Sequence, residues 1–211
     1  MSEKQDEPKQ VSPPSRKSLA LVVLALVVWY TSVLFLCLGR SLFPNVIAGE
    51  QLTRLTVWIS LLYYFPAVML LLRFGKTNWP DFGTELLGLT LWMGSWLAYL
   101  IHVVMAFRYY HHWSHADAFE HTEARSGFGY GIYVNYVFTI LWTGDVFWWA
   151  CFPTGYQRRP QWVGWSFHAS MVFIVVNATI VFADGPIRWI GVIGFVWLAW
   201  LWYIRWLKVP E

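Results

Sequence analysis

Apolar residues run along this chain in long blocks, separated by short polar stretches. Six blocks approach the roughly 20 residues a helix needs to cross a bilayer: 19–38, 55–72, 84–107, 132–152, 162–183 and 187–207. Strands of a membrane barrel would alternate apolar and polar over about 10 residues instead. Lipid cannot satisfy free backbone groups, so each block must close its hydrogen bonds as a helix. The pattern predicts an all-α membrane protein, a six-transmembrane-helix bundle forming one domain over 19–208. Pro66 falls inside the second block and predicts a kink. Residues 1–18 are polar, with Pro8, Pro13 and Pro14, and are expected to be a disordered cytoplasmic tail. The first block follows Arg16-Lys17 much as a signal sequence would. It is longer than the usual apolar core of a signal and reads as a retained span.

Between the third and fourth blocks lies the segment from Arg108 to Arg125, where the polar chemistry is concentrated. It holds His111, His112, His115 and His121, four of the six histidines, together with Asp117, Glu120 and Glu123. The helix of the third block either continues through this segment or breaks near Trp113. Ser114-x-x-Asp117 has the capping pattern of a new helix start, so a short interfacial histidine-rich helix after the third span is expected. Gly127, Gly129 and Gly131 then turn the chain into the fourth block.

Composition changes the picture only in its solvent. Of 211 residues, 57% are hydrophobic and 13% charged, against about 25% charged in soluble domains. The expected partner is the lipid bilayer, with a membrane protein or a second copy of the chain beside it. A net charge of +3 without a basic patch excludes nucleic acid. Cys37 and Cys151 are too few for a disulfide framework.

Charge also sets orientation. With the amino terminus inside, ten basic residues face the cytoplasm: Lys4, Lys9, Arg16, Lys17, Arg73, Lys76, Arg158, Arg159, Arg205 and Lys208. The other five, Arg40, Arg54, Arg108, Arg125 and Arg188, face out. The bias follows the positive-inside rule. It predicts both termini cytoplasmic and the 111–121 segment on the outer face, as in a bacterial inner membrane. Trp79, Trp113, Trp148, Trp149, Trp162, Trp189 and Trp206 fall at block ends, as aromatic belts do. Trp92, Trp96, Trp142, Trp197 and Trp200 fall deeper, where they pack, meet lipid or line a flat cofactor or a quinone.

Three groups of residues could carry chemistry. Read as one helix, the outer segment puts His111 and His112 one turn before His115, and Asp117 one turn before His121. Imidazoles with nearby carboxylates suit a transition metal such as zinc, iron or copper. His111, His112, His115, His121, Asp117 and Glu120 are the candidate metal ligands, with His115 common to both pairs. A water-facing helix that binds nothing would carry the same residues. Histidine boxes of membrane hydroxylases run His-x-x-His-His and recur along the chain. Here the order is reversed and no second box exists, so no function is carried over.

The second group is a buried polar pair. Asp145 and His168 fall at similar depth on adjacent blocks, and a carboxylate in lipid calls for a partner. The third is an outer polar level of His102, Asn135 and Asn177, a candidate cofactor-binding pocket beneath the histidines. His102 also belongs to a seven-residue stripe with Gly88, Ser95 and Tyr109, which predicts an inward face on the third span. His102 and His168 lie near opposite ends of their spans and cannot grip one haem. A haem would pair His102 with an outer histidine or give His168 a different second ligand, and Cys-x-x-Cys-His attachment is absent.

The leading expectation is a metal-dependent membrane protein, an oxidoreductase or an electron-transfer subunit. The alternatives are a transporter or proton-conducting subunit using Asp145 and His168, and a structural subunit of a larger membrane complex.

Overall fold

The computed structural model describes residues 12–42, 49–183 and 185–207, and among them all regular structure is helical. The helices are α1 (Arg16–Leu42), α2 (Gly49–Phe74), α3 (Phe82–Tyr109), α4 (His115–Ser126), α5 (Gly131–Cys151), α6 (Pro153–Arg158), α7 (Gln161–Val176) and α8 (Pro186–Leu207). A π-helical turn, Asn177–Val181, extends α7. Five helices are long and apolar enough to cross a membrane: α1, α2, α3, α7 with its π turn, and α8. The sixth expected span, α5, has 21 residues but lies outside that group. Asn135 and Asp145, with two tyrosines and three tryptophans, dilute its apolar character.

The six long helices alternate in direction. Ser18 at the start of α1 donates its hydroxyl to Asp81, the N-cap of α3, at 2.8 Å. Arg205 at the end of α8 donates to the Leu72 carbonyl near the end of α2. Gln157, between α5 and α7, donates to Glu85 in the first turn of α3 at 3.2 Å. These contacts gather one end of the bundle, and α4 sits at the other. The first of them amends the expected tail. Helix α1 already starts at Arg16, and the Phe82 amide donates to the Ser12 carbonyl at 3.0 Å. Residues 12–18 therefore pack against the start of α3, while the rest of the expected tail lies outside the described residues. Burial pushes the Asp81 carboxyl up, but hydrogen bonds from Ser18 and Thr84 outweigh it and hold the group below the usual carboxylate range.

Helices α2 and α3 form the most extensive interface, and its residues explain why. Ser60 and Ser95 donate to each other's carbonyl oxygens at 3.0 and 2.8 Å. Such small polar residues let two membrane helices approach closely and link them where water is absent. At Gly88 an added Cβ would lie 2.8 Å from the Trp79 ring, so the bare helix face seats that indole. Pro66 stays inside an uninterrupted α2.

The core is aromatic. Trp92, Trp142 and Tyr64 are almost fully buried, and their rings meet at centroid distances of 5.4 to 6.3 Å. Those are the distances at which tilted aromatic pairs attract beyond simple burial. Trp197 and Trp200, expected deeper, lie exposed on α8. Cys37 and Cys151 are free and exposed.

Candidate functional site

The outer hairpin begins where α3 stops. Past Tyr109 the chain coils back on itself: the amides of Tyr110 and His111 both donate to the Ala106 carbonyl, and that of Trp113 to Phe107. His112 and Trp113 then take φ of 48° and 61°, a left-handed conformation that costs an L residue about 1–2 kcal/mol. Ser114 accepts from the Asp117 amide at 3.2 Å and caps α4. At the far end Gly127, with φ of 72°, closes α4 in the left-handed conformation that glycine adopts freely.

This turn rearranges the expected histidine pairs. Residues 110–114 are not helical, so the one-turn relation of His111 and His112 to His115 does not hold. The turn folds residues 111 and 112 over one side of α4. The Nδ1 atoms of His111 and His121 come to 3.1 Å, one donating to the other. His112 Nδ1 lies 3.3 Å from Asp117 Oδ2. His115 faces α5 instead, with its two ring nitrogens 3.0 and 3.2 Å from the hydroxyls of Tyr136 and Tyr133. Glu120 is exposed and bonds to none of the histidines. Among the described residues, no three His, Cys, Asp or Glu side chains converge as a ready metal-ligand set. Burial, then the neighbouring His121 ring, pushes His111 below the usual imidazole value. Hydrogen bonding from Ser114 and His112 holds Asp117 below the usual carboxylate range.

Beneath the hairpin lies a cavity of about 250 Å³ among α2, α3, α5 and the end of α7. His102, His111 and Asn135 stand in its wall with Tyr99, Phe107, Phe138 and Trp142. Asn177 does not, because its amide donates to the Phe173 carbonyl one turn back at 2.7 Å. The expected trio is thus reduced to His102 and Asn135. His102 Nδ1–H donates to the Thr53 carbonyl at 2.8 Å. A carbonyl only accepts, so a neutral His102 carries its bare nitrogen at Nε2.

At the other end of the bundle Asp145 is 5% exposed and fully engaged, but not by His168. Arg159 donates to Oδ1 at 2.5 Å, and Trp92 and Tyr156 donate to Oδ2 at 3.0 and 3.4 Å. His168 lies edge-on to the Trp92 indole at 6.1 Å and makes no hydrogen bond among the described residues. The expected Asp145–His168 pair is therefore replaced by Asp145–Arg159. The short helix α6 makes this pairing: it doubles the chain back beneath α5 and lays the Arg159 guanidinium 4.0 Å over the Tyr156 ring. Lys76 donates to the Arg159 carbonyl at 2.8 Å. Burial and the Arg159 charge push its ammonium below the usual value. Arg159 escapes sequence reading because Arg158-Arg159 looks like an ordinary pair of inner-loop charges. The signal was the buried Asp145 itself, which calls for the nearest cation as much as for a histidine.

Comparison with protein-family models, with curated proteins and with solved structures finds no match to this chain.

Proposed function

We propose that this chain is a polytopic integral membrane protein of six spans whose outer hairpin binds a divalent transition metal through His111 and His121. The sixth span is α5. Its Asp145 side turns inward with Phe138, Trp142 and Val146, while Val137, Ile140, Leu141 and Phe147 are left exposed. Such a stripe belongs in lipid rather than in water. Orientation follows the basic residues as before. Arg159, paired inside the bundle, no longer counts as a loop charge, which leaves nine on the inner side against five.

The observation that supports metal binding is the 3.1 Å separation of the two Nδ1 atoms. Two imidazoles at about 2.0–2.1 Å from one metal, at tetrahedral or octahedral angles, hold their nitrogens roughly 2.8–3.4 Å apart. The pair is therefore spaced as two ligands of one ion, and without the ion the hydrogen bond between the two rings keeps that spacing. Asp117 lies one turn before His121 on α4, and with His112 beside it can complete the shell by side-chain rotation. Binding requires deprotonated imidazole nitrogen. Zinc, copper and iron are the metals such a nitrogen and oxygen set suits.

A proton-conducting role for Asp145 and His168 has less support, since Arg159 neutralises the carboxylate and holds it in place.

The test is zinc titration of the purified full-length protein by calorimetry, with His111→Ala, His121→Ala and His115→Ala alongside. Wild type and His115→Ala bind one equivalent. His111→Ala and His121→Ala each weaken binding by at least roughly tenfold, the scale of losing one ligand or its support. No stoichiometric zinc on wild type, or retention in both His111→Ala and His121→Ala, overturns the reading.

A further inference from the structure

The cavity beneath the hairpin carries polar groups that no other described residue uses. His102 Nε2 is an acceptor without a partner among the described residues, because Nδ1–H is committed to Thr53. Trp142 is 2% exposed, and its Nε1–H donor has no hydrogen-bond partner among the described residues. The Asn135 side chain offers a donor and an acceptor and makes no hydrogen bond there either. All three residues stand in the wall of one space. A buried polar group left unpaired costs about 1–3 kcal/mol; Trp142 Nε1–H is such a group in this wall, and the half-buried His102 and the exposed Asn135 stand beside it.

The rest of the wall defines the shape of what enters. Tyr99, Phe138 and Trp142 pack ring to ring at centroid distances of 5.2 to 5.4 Å, giving an aromatic surface against which a flat ring can lie. A cavity near 150 Å³ already takes up benzene, and this one, at about 250 Å³, has room for a single substituted ring. Tyr99 cannot serve as a further free donor, since its hydroxyl is paired with Thr139 at 2.8 Å.

We propose that this cavity binds a hydroxylated single-ring aromatic of the phenol or hydroquinone class, its hydroxyl donating to His102 Nε2 and its oxygen accepting from Trp142 Nε1–H or the Asn135 amide. A hydroxyl answers both needs, because it donates and accepts at one atom. A hydrocarbon would leave both His102 and Trp142 unpaired, and an anion would meet the bare nitrogen of His102. The inference does not rest on the metal reading. His102, Trp142 and Asn135 carry it, and none of them belongs to the His111–His121 pair.

The experiment uses the full-length protein in lipid nanodiscs, with chelator present so that metal plays no part, and equilibrium dialysis under reducing conditions. The probes are 2,3-dimethoxy-5-methylhydroquinone with a decyl tail, the same head group without the tail, and the tailed compound with both hydroxyls methylated. The tailed hydroquinone binds stoichiometrically, and the methylated compound binds at least roughly fivefold more weakly, the scale of one lost hydrogen bond. Ala178→Phe fills the cavity while leaving every polar group in place, and it abolishes binding. Should that variant fail to fold, Ala106→Leu, in the cavity wall on α3, is read in its place. Equal binding of the tail-less head group marks a soluble phenol as the source, and tail-dependent binding marks a membrane-borne quinol. Undiminished binding of the methylated compound, wild-type binding by the folded cavity-filling variant, or no binding of any hydroquinone overturns the proposal.

Discussion

Asp145 has both carboxylate oxygens engaged, by Arg159, Trp92 and Tyr156, and the pair it forms with Arg159 is almost wholly out of solvent. Removing one partner of such a pair strands a charge in low dielectric and costs about 3–5 kcal/mol, whereas replacing both by apolar groups of similar volume is close to neutral. Arg159→Met alone is therefore expected to lower stability by about 3–5 kcal/mol, and Asp145→Leu with Arg159→Met to recover most of it. Equilibrium unfolding in mixed micelles measures both. A single-variant loss below about 1 kcal/mol would mean that the pair does not hold the inner end together. At this scale the sequence exposed the need and hid the answer. A carboxylate at position 145 announces a partner, but which side chain reaches it depends on how α6 folds beneath α5.

The hairpin between α3 and α5 is the element on which the candidate metal pair depends. His112 and Trp113 hold left-handed backbone with side chains that disfavour it. Glycine escapes that cost, so the nature of the replacement at Trp113 reports whether the turn is real. Trp113→Ala and Trp113→Gly both lose the ring contact with Phe107, but only the alanine keeps the strain. Trp113→Gly is expected to be the more stable of the two by about 1 kcal/mol, the reverse of their order inside a helix. Thermal unfolding of the two variants compares them, and a more stable alanine variant would place Trp113 in a helix running on from α3. The Ser114-x-x-Asp117 pattern was legible because capping is local chemistry. The histidine pairs were not: helical spacing assigns neighbours only while the helix lasts, and it ends at Tyr109. His115 belongs to Tyr133 and Tyr136 for the same reason, since the first residue of α4 faces whatever α5 brings beside it.

For the whole molecule, six long helices alternate in direction, with the starts of α1, α3 and α7 and the ends of α2, α5 and α8 gathered at one end. Read with the basic residues, that end is the one we propose to be cytoplasmic. In a chain with Cys37→Ser and Cys151→Ser, single cysteines at Ala124 on α4 and at Asn78 or Thr154 test the orientation in intact cells. An impermeant thiol reagent is expected to label Ala124→Cys and to leave Asn78→Cys and Thr154→Cys unlabelled until the membrane is opened. The opposite pattern inverts the molecule, and labelling of all three in intact cells removes it from the membrane.

Run length and composition determined most of this architecture, because the physics involved is one-dimensional. A helix must be long and apolar enough to leave water, and five of the six runs meet that condition without reference to any neighbour. The stripe of Gly88 and Ser95 likewise marked an inward face of α3, since small residues at helical spacing serve close packing wherever the partner comes from. Tertiary structure decided everything that needs two elements to meet. It turned Asp145 to Arg159 rather than His168, His111 to His121 rather than His115, and Asn177 back to its own helix while His102 and Asn135 were left on a common wall. The physical reason is shared by all three. A polar group in a membrane bundle takes the partner that packing brings within hydrogen-bond reach, and that distance is set by helix ends, turns and ring volumes rather than by separation along the chain.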